Sequence, residues 1–334
     1  MIYSRIGAIC AGMIGVGALL GAGQTRAQTQ IQTQIQTWPE RPVHIIVAFG
    51  TGGTIDTLTR IVADKLEGLW KQGVVVDNRP GGAGNIGAAA AAHAPPDGYT
   101  LHMGGQPLTA NVTLAPTTSF DAVKDFEPVI FIAWGQDVLM VGKDSPYKNF
   151  SDLLAAAKAK PGELNYGSLG VGSSGHLATV LLENATDMRV QHVPYTSVGQ
   201  LQADTTTGRI NMWISTLGGQ LGVIKGGNLR ALAVSGEKRA TSLPDVPTFS
   251  EMGIPLAEPS SWFGLFAPRG TPREIVTKIN ADVNAIVSAP DMREKMNNLG
   301  FQLKGGSPQD LADAMAPDIA KWEKVSKTPA YSAQ

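Results

Sequence analysis

Short apolar runs and helically spaced apolar positions alternate along most of the chain. Residues 43–49 (VHIIVAF) form a β-branched run that stops at a glycine-rich turn, and helical spacing follows over residues 55–69. Residues 74–76 and 99–103 are predicted strands, with an alanine-rich helix at residues 85–92 between them. This alternation is typical of βαβ units, in which successive strands lie parallel.

The pattern returns in the middle of the chain and changes near the end. An extended stretch at residues 129–141 precedes a run of predicted helices and strands, which alternate at residues 150–159, 164–166, 174–184, 190–193, 198–206, 210–214, 219–225 and 229–234. Residues 244–259 are proline-rich. A strand at 262–266 follows, then helices at 272–287 and 290–298 and a last helix that begins at Ser307-Pro308, a favourable N-cap pair.

Two βα runs joined by long extended connectors predict an α/β protein of two lobes. We expect a mainly parallel sheet in each lobe and a hinge between them, as in flytrap binding proteins, with the ligand at the carboxyl ends of the strands. Residues 38–137 and 237–334 are assigned to lobe I, and residues 138–236 to lobe II. The C-terminal helices are therefore expected to return to the first lobe.

The first 27 residues have the pattern of a cleaved secretory signal peptide. Arg5 precedes the apolar, small-residue run 6–23, and residues 25–27 (TRA) end on alanine at a plausible cleavage position. A transmembrane anchor is the alternative, but it needs about 20 solidly apolar residues, and this run is rich in Gly and Ala. We expect export to the periplasm, with residues 28–37 (QTQIQTQIQT) as a disordered spacer.

Composition narrows the chemistry of the mature protein. Cys10 is the only cysteine and lies in the signal region, so disulfides, thiolate catalysis and cysteine-ligated metals are excluded. The formal net charge is −1 and 16% of residues are charged, which gives no field for nucleic acid or anionic lipid. The 43% of apolar residues predicts a true core.

Two glycine-rich loops, residues 49–54 (FGTGGT) and 167–176 (GSLGVGSSGH), each join a predicted strand to the start of a predicted helix. Backbone N–H groups converge at such junctions and face an anion with the positive end of the helix dipole, which suits a carboxylate. Either loop alone can be a plain turn, whereas both together can close on one ligand from opposite lobes. The candidate ligand-binding residues in and beside them are Gly50, Thr51, Gly52, Gly53, Thr54, Asp56, Ser168, Gly172, Ser173, Ser174 and His176.

Two of these candidates have open alternatives. Asp56 either binds a polar ligand group or its bridging water, or serves only the helix dipole from the first turn. His176 either touches the ligand or caps and packs the start of its helix. Residues 82–87 (GAGNIG) match the dinucleotide pattern GxGxxG, but residues 78–80 (NRP) separate them from the preceding strand, so a structural turn is expected.

Nothing in the sequence favours an enzyme, a metal site or a cofactor. The motifs GxSxG, Walker A and HExxH are absent. The histidines lack the spacing of metal ligands and offer no nucleophile–base pair; they are His44, His93, His102, His176 and His192.

Several blocks of sequence resemble one receptor family in collinear order from about Trp38 to Val325. They include WPERP, FGTGGTID, VVVDNRPGGAGNIG and APPDGYTL, followed by LNYGSLGVGSSGHLA, HVPY, LRALAVSGEKR, LPDVPTFSEMG and SSWFGLFAP, and then the tail GGSPQDLADAMAPDIAKWEKV. These blocks resemble the Bug-type solute receptors, the extracytoplasmic receptors of tripartite tricarboxylate transport systems. The resemblance implies a two-domain fold that closes on its ligand, with a ligand carboxylate held by backbone amides and ordered water.

Carried onto this chain, the resemblance implies that residues 50–56 and 168–176 form the two halves of the site. Gln106 and Asn111 lie where such receptors present a further first-lobe loop. Ser215, Thr216 and Trp262 are additional cleft positions, and either Trp213 or Trp262 is expected to cover the apolar part of the ligand.

The chain departs from its apparent family at the cleft. Such receptors usually have two prolines where this chain has Gly50-Thr51, and proline is common where Thr54 stands. The Lys-Gly-Gly that often follows HVPY is replaced by residues 196–198 (TSV), and residues 211–216 lack a common aspartate. The loss of a cationic and an acidic group favours a less charged or aromatic acid over an amino acid.

The expected function is therefore that of a periplasmic solute-binding protein, which captures a small organic carboxylate and delivers it to integral membrane transporter subunits. We expect a monomer with no catalytic step, no cofactor and no nucleic-acid partner. A ligand-sensing receptor for a signalling partner and, less favoured, a periplasmic hydrolase are the alternatives.

Overall fold

The computed structural model describes residues 38–114, 118–256 and 261–332. The chain divides into two compact units, Met1–Glu40 and Arg41–Gln334. Of the first unit only residues 38–40 are described, so the predicted signal peptide and the predicted spacer at residues 28–37 lie outside the described residues. The second unit contains both predicted glycine-rich loops.

The elements follow the alternation that the apolar pattern predicts. The strands are β1 (Val43–Val47), β2 (Val74–Asn78), β3 (Thr100–Gly105), β4 (Phe126–Gly135), β5 (Asp137–Gly142), β6 (Asn165–Ser168), β7 (Gln191–Pro194), β8 (Met212–Thr216), β9 (Leu229–Val234), β10 (Ser261–Pro268) and β11 (Phe301–Leu303). The α-helices are α1 (Thr54–Trp70), α2 (Asn85–Ala92), α3 (Gln106–Leu114), α4 (Phe150–Ala159), α5 (Ser174–Thr186), α6 (Val198–Thr206), α7 (Leu221–Lys225), α8 (Arg273–Ser288), α9 (Pro290–Asn298), α10 (Pro308–Val325) and α11 (Pro329–Ser332).

These strands form two sheets, and each sheet with its helices makes one lobe. Within the described residues, the first lobe has six strands in the order β11-β4-β10-β3-β1-β2, and the second has five in the order β7-β6-β8-β5-β9. In the first sheet β1 is parallel to β2 and β3, whereas β10 and β11 run antiparallel to their neighbours. In the second, β6 is parallel to β7 and β8, and β5 is antiparallel to β8 and β9.

Both sheets are mixed, but most strands in each run in one direction, as expected: β1–β4 in the first sheet and β6–β9 in the second. Parallel neighbours arise where a helix carries the chain back across the sheet, as between β1, β2 and β3. The chain direction is reversed at β5 and at β10, the first strand after each passage between the lobes, and again at β11. The extended stretch predicted at residues 129–141 corresponds to β4 and β5, one strand in each sheet.

Hydrogen bonds connect the two segments in which the chain crosses between the lobes. The Gln136 amide donates to the carbonyl oxygens of Ser235 (2.6 Å) and Lys238 (2.8 Å). The buried Asp137 carboxylate accepts bonds from the hydroxyls of Thr216 (3.1 Å) and Ser261 (2.9 Å). The hinge is thus a buried polar cluster that holds both connecting strands.

Each lobe has an apolar core between its sheet and its helices. Ile46, Phe131 and Phe266 are buried in the first lobe, and Tyr166 and Met212 in the second. Helix α8 packs on β4 and α1, and α10 packs on α3 and β4, so these C-terminal helices lie on the first sheet. The short helix α11 packs instead on α5 of the second lobe. In the described part of the chain, no helix is long and apolar enough to cross a membrane.

Candidate functional site

A cavity lies between the two lobes, with about 640 Å³ of free space that includes the solvent at its mouth. The first residues of two helices lie on its wall. Gly53, Thr54 and Ile55 come from the start of α1 in the first lobe, and Ser173, Ser174 and Gly175 from the start of α5 in the second. Both predicted glycine-rich loops therefore end at one cavity.

The polarity of this cavity comes from backbone groups and hydroxyls. The first N–H groups of a helix have no intrahelical acceptor, and together with the helix dipole they make each N-terminus partly positive. Among the described residues that line the cavity, no side chain carries a charge. An anion bound here would be held by helix N-termini and hydroxyl groups, without an arginine or lysine.

The remaining walls are largely apolar. The large apolar side chains on the wall are Phe49, Ile55, Leu169, Val198, Trp213, Ile214 and Phe263. Ser215 and Thr216 at the end of β8 also line the cavity, as does Gln220. A cavity of this composition suits a ligand with an acidic end and an apolar body.

Asp56 organises the first loop from behind. It is 3% exposed, and its carboxylate accepts hydrogen bonds from the Gly52 N–H (2.9 Å), Arg60 Nε (3.0 Å) and Asn78 Nδ2 (2.9 Å). Asn78 Nδ2 also donates to the Phe49 carbonyl oxygen (2.9 Å). Burial raises the pKa of Asp56, but the bonds from Arg60, Gly52 and Asn78 outweigh it and place this pKa below its ordinary value.

Asp56 lies in the first turn of α1, as its second alternative expects, and it is not among the lining residues. Its carboxylate is directed to the loop backbone, and it is the adjacent Gly53 and Thr54 that line the cavity. Gly50, Thr51 and Gly52 lie on the outer part of the loop, where Thr51 and Gly52 are exposed, and they are not among the lining residues.

The second loop is held by two imidazole rings. Ser168 Oγ lies 2.7 Å from His192 Nε2 and accepts a bond from the Gly170 N–H (3.1 Å), while the Gly172 N–H donates to His176 Nδ1 (3.2 Å). Burial lowers the pKa of His192 to about 4, so this imidazole is neutral at neutral pH. Ser168, Gly172 and His176 shape the loop, while Ser173 and Ser174 line the cavity.

The two imidazole rings pack against each other, with centroids 4.9 Å apart. His192 was absent from the predicted site residues, because its proximity to Ser168 depends on the parallel pairing of β6 with β7 across the intervening helix α5. The block HVPY, placed at the end of a predicted strand, was the available signal.

Gln106 and Asn111 belong to a neighbouring part of the first lobe. Gln106 begins α3 and is fully buried, and Asn111 Nδ2 donates to the Ala83 carbonyl oxygen (3.2 Å) and to Asn85 Oδ1 (3.0 Å). Asn111 lines a smaller cavity of about 260 Å³, which shares Phe49, Ile55, Gly105 and Pro107 with the cavity between the lobes.

Trp262 lies in the first-lobe core, away from the cavity wall where it was expected. It is 1% exposed, its indole N–H donates to Asp318 (3.0 Å), and its ring packs against Phe131 and Phe266. Neighbouring side chains on a strand point to opposite faces, so it is Phe263 whose ring reaches the cavity. Trp213, the other predicted aromatic cover, does line the cavity.

The described residues contain no group of three or more His, Cys, Asp or Glu side chains placed to hold a metal ion. The site is thus a two-lobed crevice built from helix N-termini, hydroxyls and apolar walls. This is the layout of the periplasmic-binding-protein class, in which a ligand binds between two α/β lobes.

Comparisons with known proteins agree with this class and specify the family. Residues 58–329 match the "Tripartite tricarboxylate transporter family receptor" model, TctC. BugT of Bordetella pertussis is 32% identical over 291 residues, which cover 86% of this chain and 89% of BugT. The chain belongs to the TctC receptor family and is a Bug-type receptor of tripartite tricarboxylate transport systems.

Two solved structures share the fold over nearly their whole length. Rpa4515 of R. palustris, solved with adipate, is 40% identical with a TM-score of 0.83, and the match covers 87% of this chain and 97% of Rpa4515. MatC from Rhodopseudomonas palustris, solved with bound malate, is 30% identical with a TM-score of 0.81, and the match covers 87% of this chain and all of MatC. This chain is therefore a solute-binding protein of the same fold.

Proposed function

We propose that this protein is a periplasmic receptor that captures a small organic carboxylate in the cavity between its lobes and delivers it to membrane transporter subunits. The observation that carries the proposal is the convergence of the N-termini of α1 and α5, one from each lobe, on one cavity. A ligand carboxylate placed between them accepts hydrogen bonds from N–H groups of both lobes, so ligand binding stabilises the closed arrangement of the lobes. The protein acts as a monomer in this proposal.

The relatives support a carboxylate as the ligand class. Rpa4515 was solved with adipate and MatC with malate, and both share the two-lobed fold with this chain. In this chain the described lining residues include no cationic side chain for a second carboxylate and no acidic side chain for an ammonium group. The cavity therefore favours an acid with an aliphatic or aromatic body over an amino acid.

The proposal includes no catalytic step, although Ser168 and His192 form a hydroxyl–imidazole pair. Ser168 is completely buried, and its Oγ is occupied by the Gly170 N–H as well as by the imidazole. Neither residue lines the cavity, so a ligand there does not meet the hydroxyl. A serine nucleophile must reach its substrate, and this one is enclosed by its own loop.

A thermal-shift screen of the purified protein tests this function. The panel contains succinate, adipate, malate, citrate, benzoate, aspartate and glutamate, with adipamide as the uncharged match of adipate. A ligand of the folded state at 100 times its dissociation constant adds about 2.7 kcal/mol to the free energy of unfolding and raises the melting temperature. We expect a shift with an aliphatic or aromatic acid and none with adipamide or the two amino acids.

If no acid raises the melting temperature and the purified protein carries no endogenous ligand, the proposal is contradicted. Mass spectrometry of the denatured sample provides that control, because a retained acid would appear there as a stoichiometric small molecule. Equal shifts with adipate and adipamide would also contradict it, since the site would then not recognise the carboxylate.

A further inference from the structure

Thr54 connects the two lobes at the edge of the cavity. Its hydroxyl donates to the carbonyl oxygen of Thr216 (2.8 Å) and accepts a bond from the N–H of Gly219 (3.1 Å). Thr54 begins α1, which packs on β1 and β2 of the first sheet, whereas Thr216 ends β8 of the second sheet and Gly219 follows in the turn Leu217–Gly219. The Thr54 hydroxyl thus joins the lobes both as a hydrogen-bond donor and as a hydrogen-bond acceptor.

The backbones approach closely at this point. A Cβ atom on Gly219 would lie 2.7 Å from the backbone nitrogen and from Oγ1 of Thr54, which is shorter than real Cβ contacts. The backbone of Gly219 is outside the left-handed region, so alanine is compatible with the turn itself. Only the neighbouring lobe prevents a side chain at position 219.

The hydroxyl of Thr54 is also withdrawn from solvent. Thr54 is 8% exposed, and Thr54, Thr216 and Gln220 line the cavity together. The single hydroxyl proton is donated to Thr216, so it does not point to a ligand in the cavity. An opening motion that separates Thr54 from Thr216 and Gly219 would replace these two hydrogen bonds by bonds to water.

We propose that Thr54 is a closure latch: its hydroxyl holds the closed cleft through Thr216 and Gly219 and slows release of the ligand without contacting it. This inference rests on the proposed binding of a carboxylate in the cavity. Thr54 is thus a positioning residue, and Gly219 is the surface against which it closes. The affinity of the receptor then depends on this contact as well as on the groups that touch the ligand.

Matched variants separate the latch from a structural role. Thr54→Val keeps the shape of the side chain but removes the hydroxyl, whereas Thr54→Ser keeps the hydroxyl. Gly219→Ala places a methyl group in the contact, and Gly222→Ala is its control, because position 222 has no atom within 4 Å of an added Cβ. The measurements are adipate dissociation rate and affinity, and the radius of gyration from small-angle scattering with and without adipate.

We expect Thr54→Val to speed adipate dissociation and weaken affinity by about tenfold, which corresponds to the loss of a buried bonded hydroxyl. Thr54→Ser is expected to recover most of the affinity that Thr54→Val loses, and Gly222→Ala is expected to bind adipate as the wild type does. Gly219→Ala is expected to weaken binding further and to increase the radius of gyration with and without adipate.

If adipate dissociates from Thr54→Val and Gly219→Ala at the wild-type rate, and both variants have the wild-type radius of gyration, the latch is overturned while carboxylate binding remains intact. If the wild type binds no acid, the proposed function fails, and the ligand-free radius of gyration alone decides the latch. A larger radius for Gly219→Ala than for Gly222→Ala then supports the contact, and equal radii overturn it.

Discussion

At the scale of single residues, the site depends on side chains that hold its loops from behind. Asp56 bonds the first loop through the Gly52 N–H, and the imidazole of His176 accepts the Gly172 N–H in the second loop. In both cases the bonded N–H group belongs to a loop residue that is not on the cavity wall. In the proposed function, these bonds hold the loops in place before an anion arrives.

Asp56→Asn tests this arrangement. An amide has one acceptor oxygen where the carboxylate has two, so a bond to Gly52, Arg60 or Asn78 is lost or becomes a donor–donor contact. We expect the free energy of unfolding to fall by about 2–3 kcal/mol and the carboxylate affinity to weaken. Urea unfolding and ligand titration measure the two effects.

The control is Asp64→Asn, an exposed position on the same helix, which is expected to change stability by less than about 0.5 kcal/mol. If both variants lose equal stability and keep the same affinity, Asp56 has no role in the loop.

Only part of the site is predictable from the sequence at the residue scale. The sequence identified the two loops, because glycine-rich strand–helix junctions are visible in it. It did not determine which of Trp262 and Phe263 faces the cavity, because strand direction and register set that choice, and β10 has register irregularities at Phe263/Gly264 and Leu265/Phe266. Ser168 and His192 likewise meet only through sheet pairing.

At the scale of elements, the glycines of residues 82–87 position α2 against β1. A Cβ atom on Gly87 would lie 2.6 Å from Cα of Ala48 and 2.8 Å from the carbonyl oxygen of Arg79. Gly84 similarly packs against Phe49, since a Cβ atom at position 84 would lie 3.2 Å from the aromatic ring. This segment is the structural turn that its sequence context predicted, and it supports the wall of the cavity at Phe49.

A pair of glycine substitutions tests this packing. Gly87→Ala forces α2 away from β1, because both obstructing groups are backbone, and we expect a loss of about 2 kcal/mol or more in stability. Gly68→Ala, at an exposed position of α1 with no atom within 4 Å, is expected to gain about 0.5–1 kcal/mol from helix propensity. Chemical unfolding of both variants measures these changes in stability. A Gly87→Ala variant that is as stable as the wild type contradicts the packing role.

Element positions were predictable from the sequence, since periodicity marks both strands and helices. The predicted helix at 198–206 corresponds to α6, and the one at 272–287 corresponds to α8 with a shift of one residue. Sheet order and strand direction were not predictable in the same way. They depend on how the first strand after each passage between the lobes, β5 after β4 and β10 after β9, pairs within its sheet.

At the scale of the whole molecule, buried neutral histidines couple stability to pH. Burial lowers the pKa of His102 and of His192 to about 4, below the ordinary value of 6.5. The unfolded chain therefore binds more protons than the folded protein between these values, and the free energy of unfolding falls as the pH drops from about 6.5 to about 4. The depressed pKa of Asp56 removes further stability at lower pH.

Urea unfolding at pH 7.5 and pH 5 measures this loss. His102 alone is expected to contribute about 2 kcal/mol of it, because this imidazole is completely enclosed. His102→Phe should flatten the pH dependence, while Gly68→Ala, which alters no titratable group, should leave it unchanged. An identical slope in His102→Phe and the wild type contradicts the assignment.

The fluorescence of Trp213 tests most directly whether a carboxylate binds between the lobes. Trp213 lies on the cavity wall, whereas Trp262 is enclosed in the first-lobe core. Titration with the acid that gives the largest thermal shift is expected to produce a saturable change in fluorescence. The change should be lost in Trp213→Phe, while calorimetry still detects binding. An equal change in Trp213→Phe, or calorimetric binding without any change in the wild type, would place the ligand elsewhere and contradict the account.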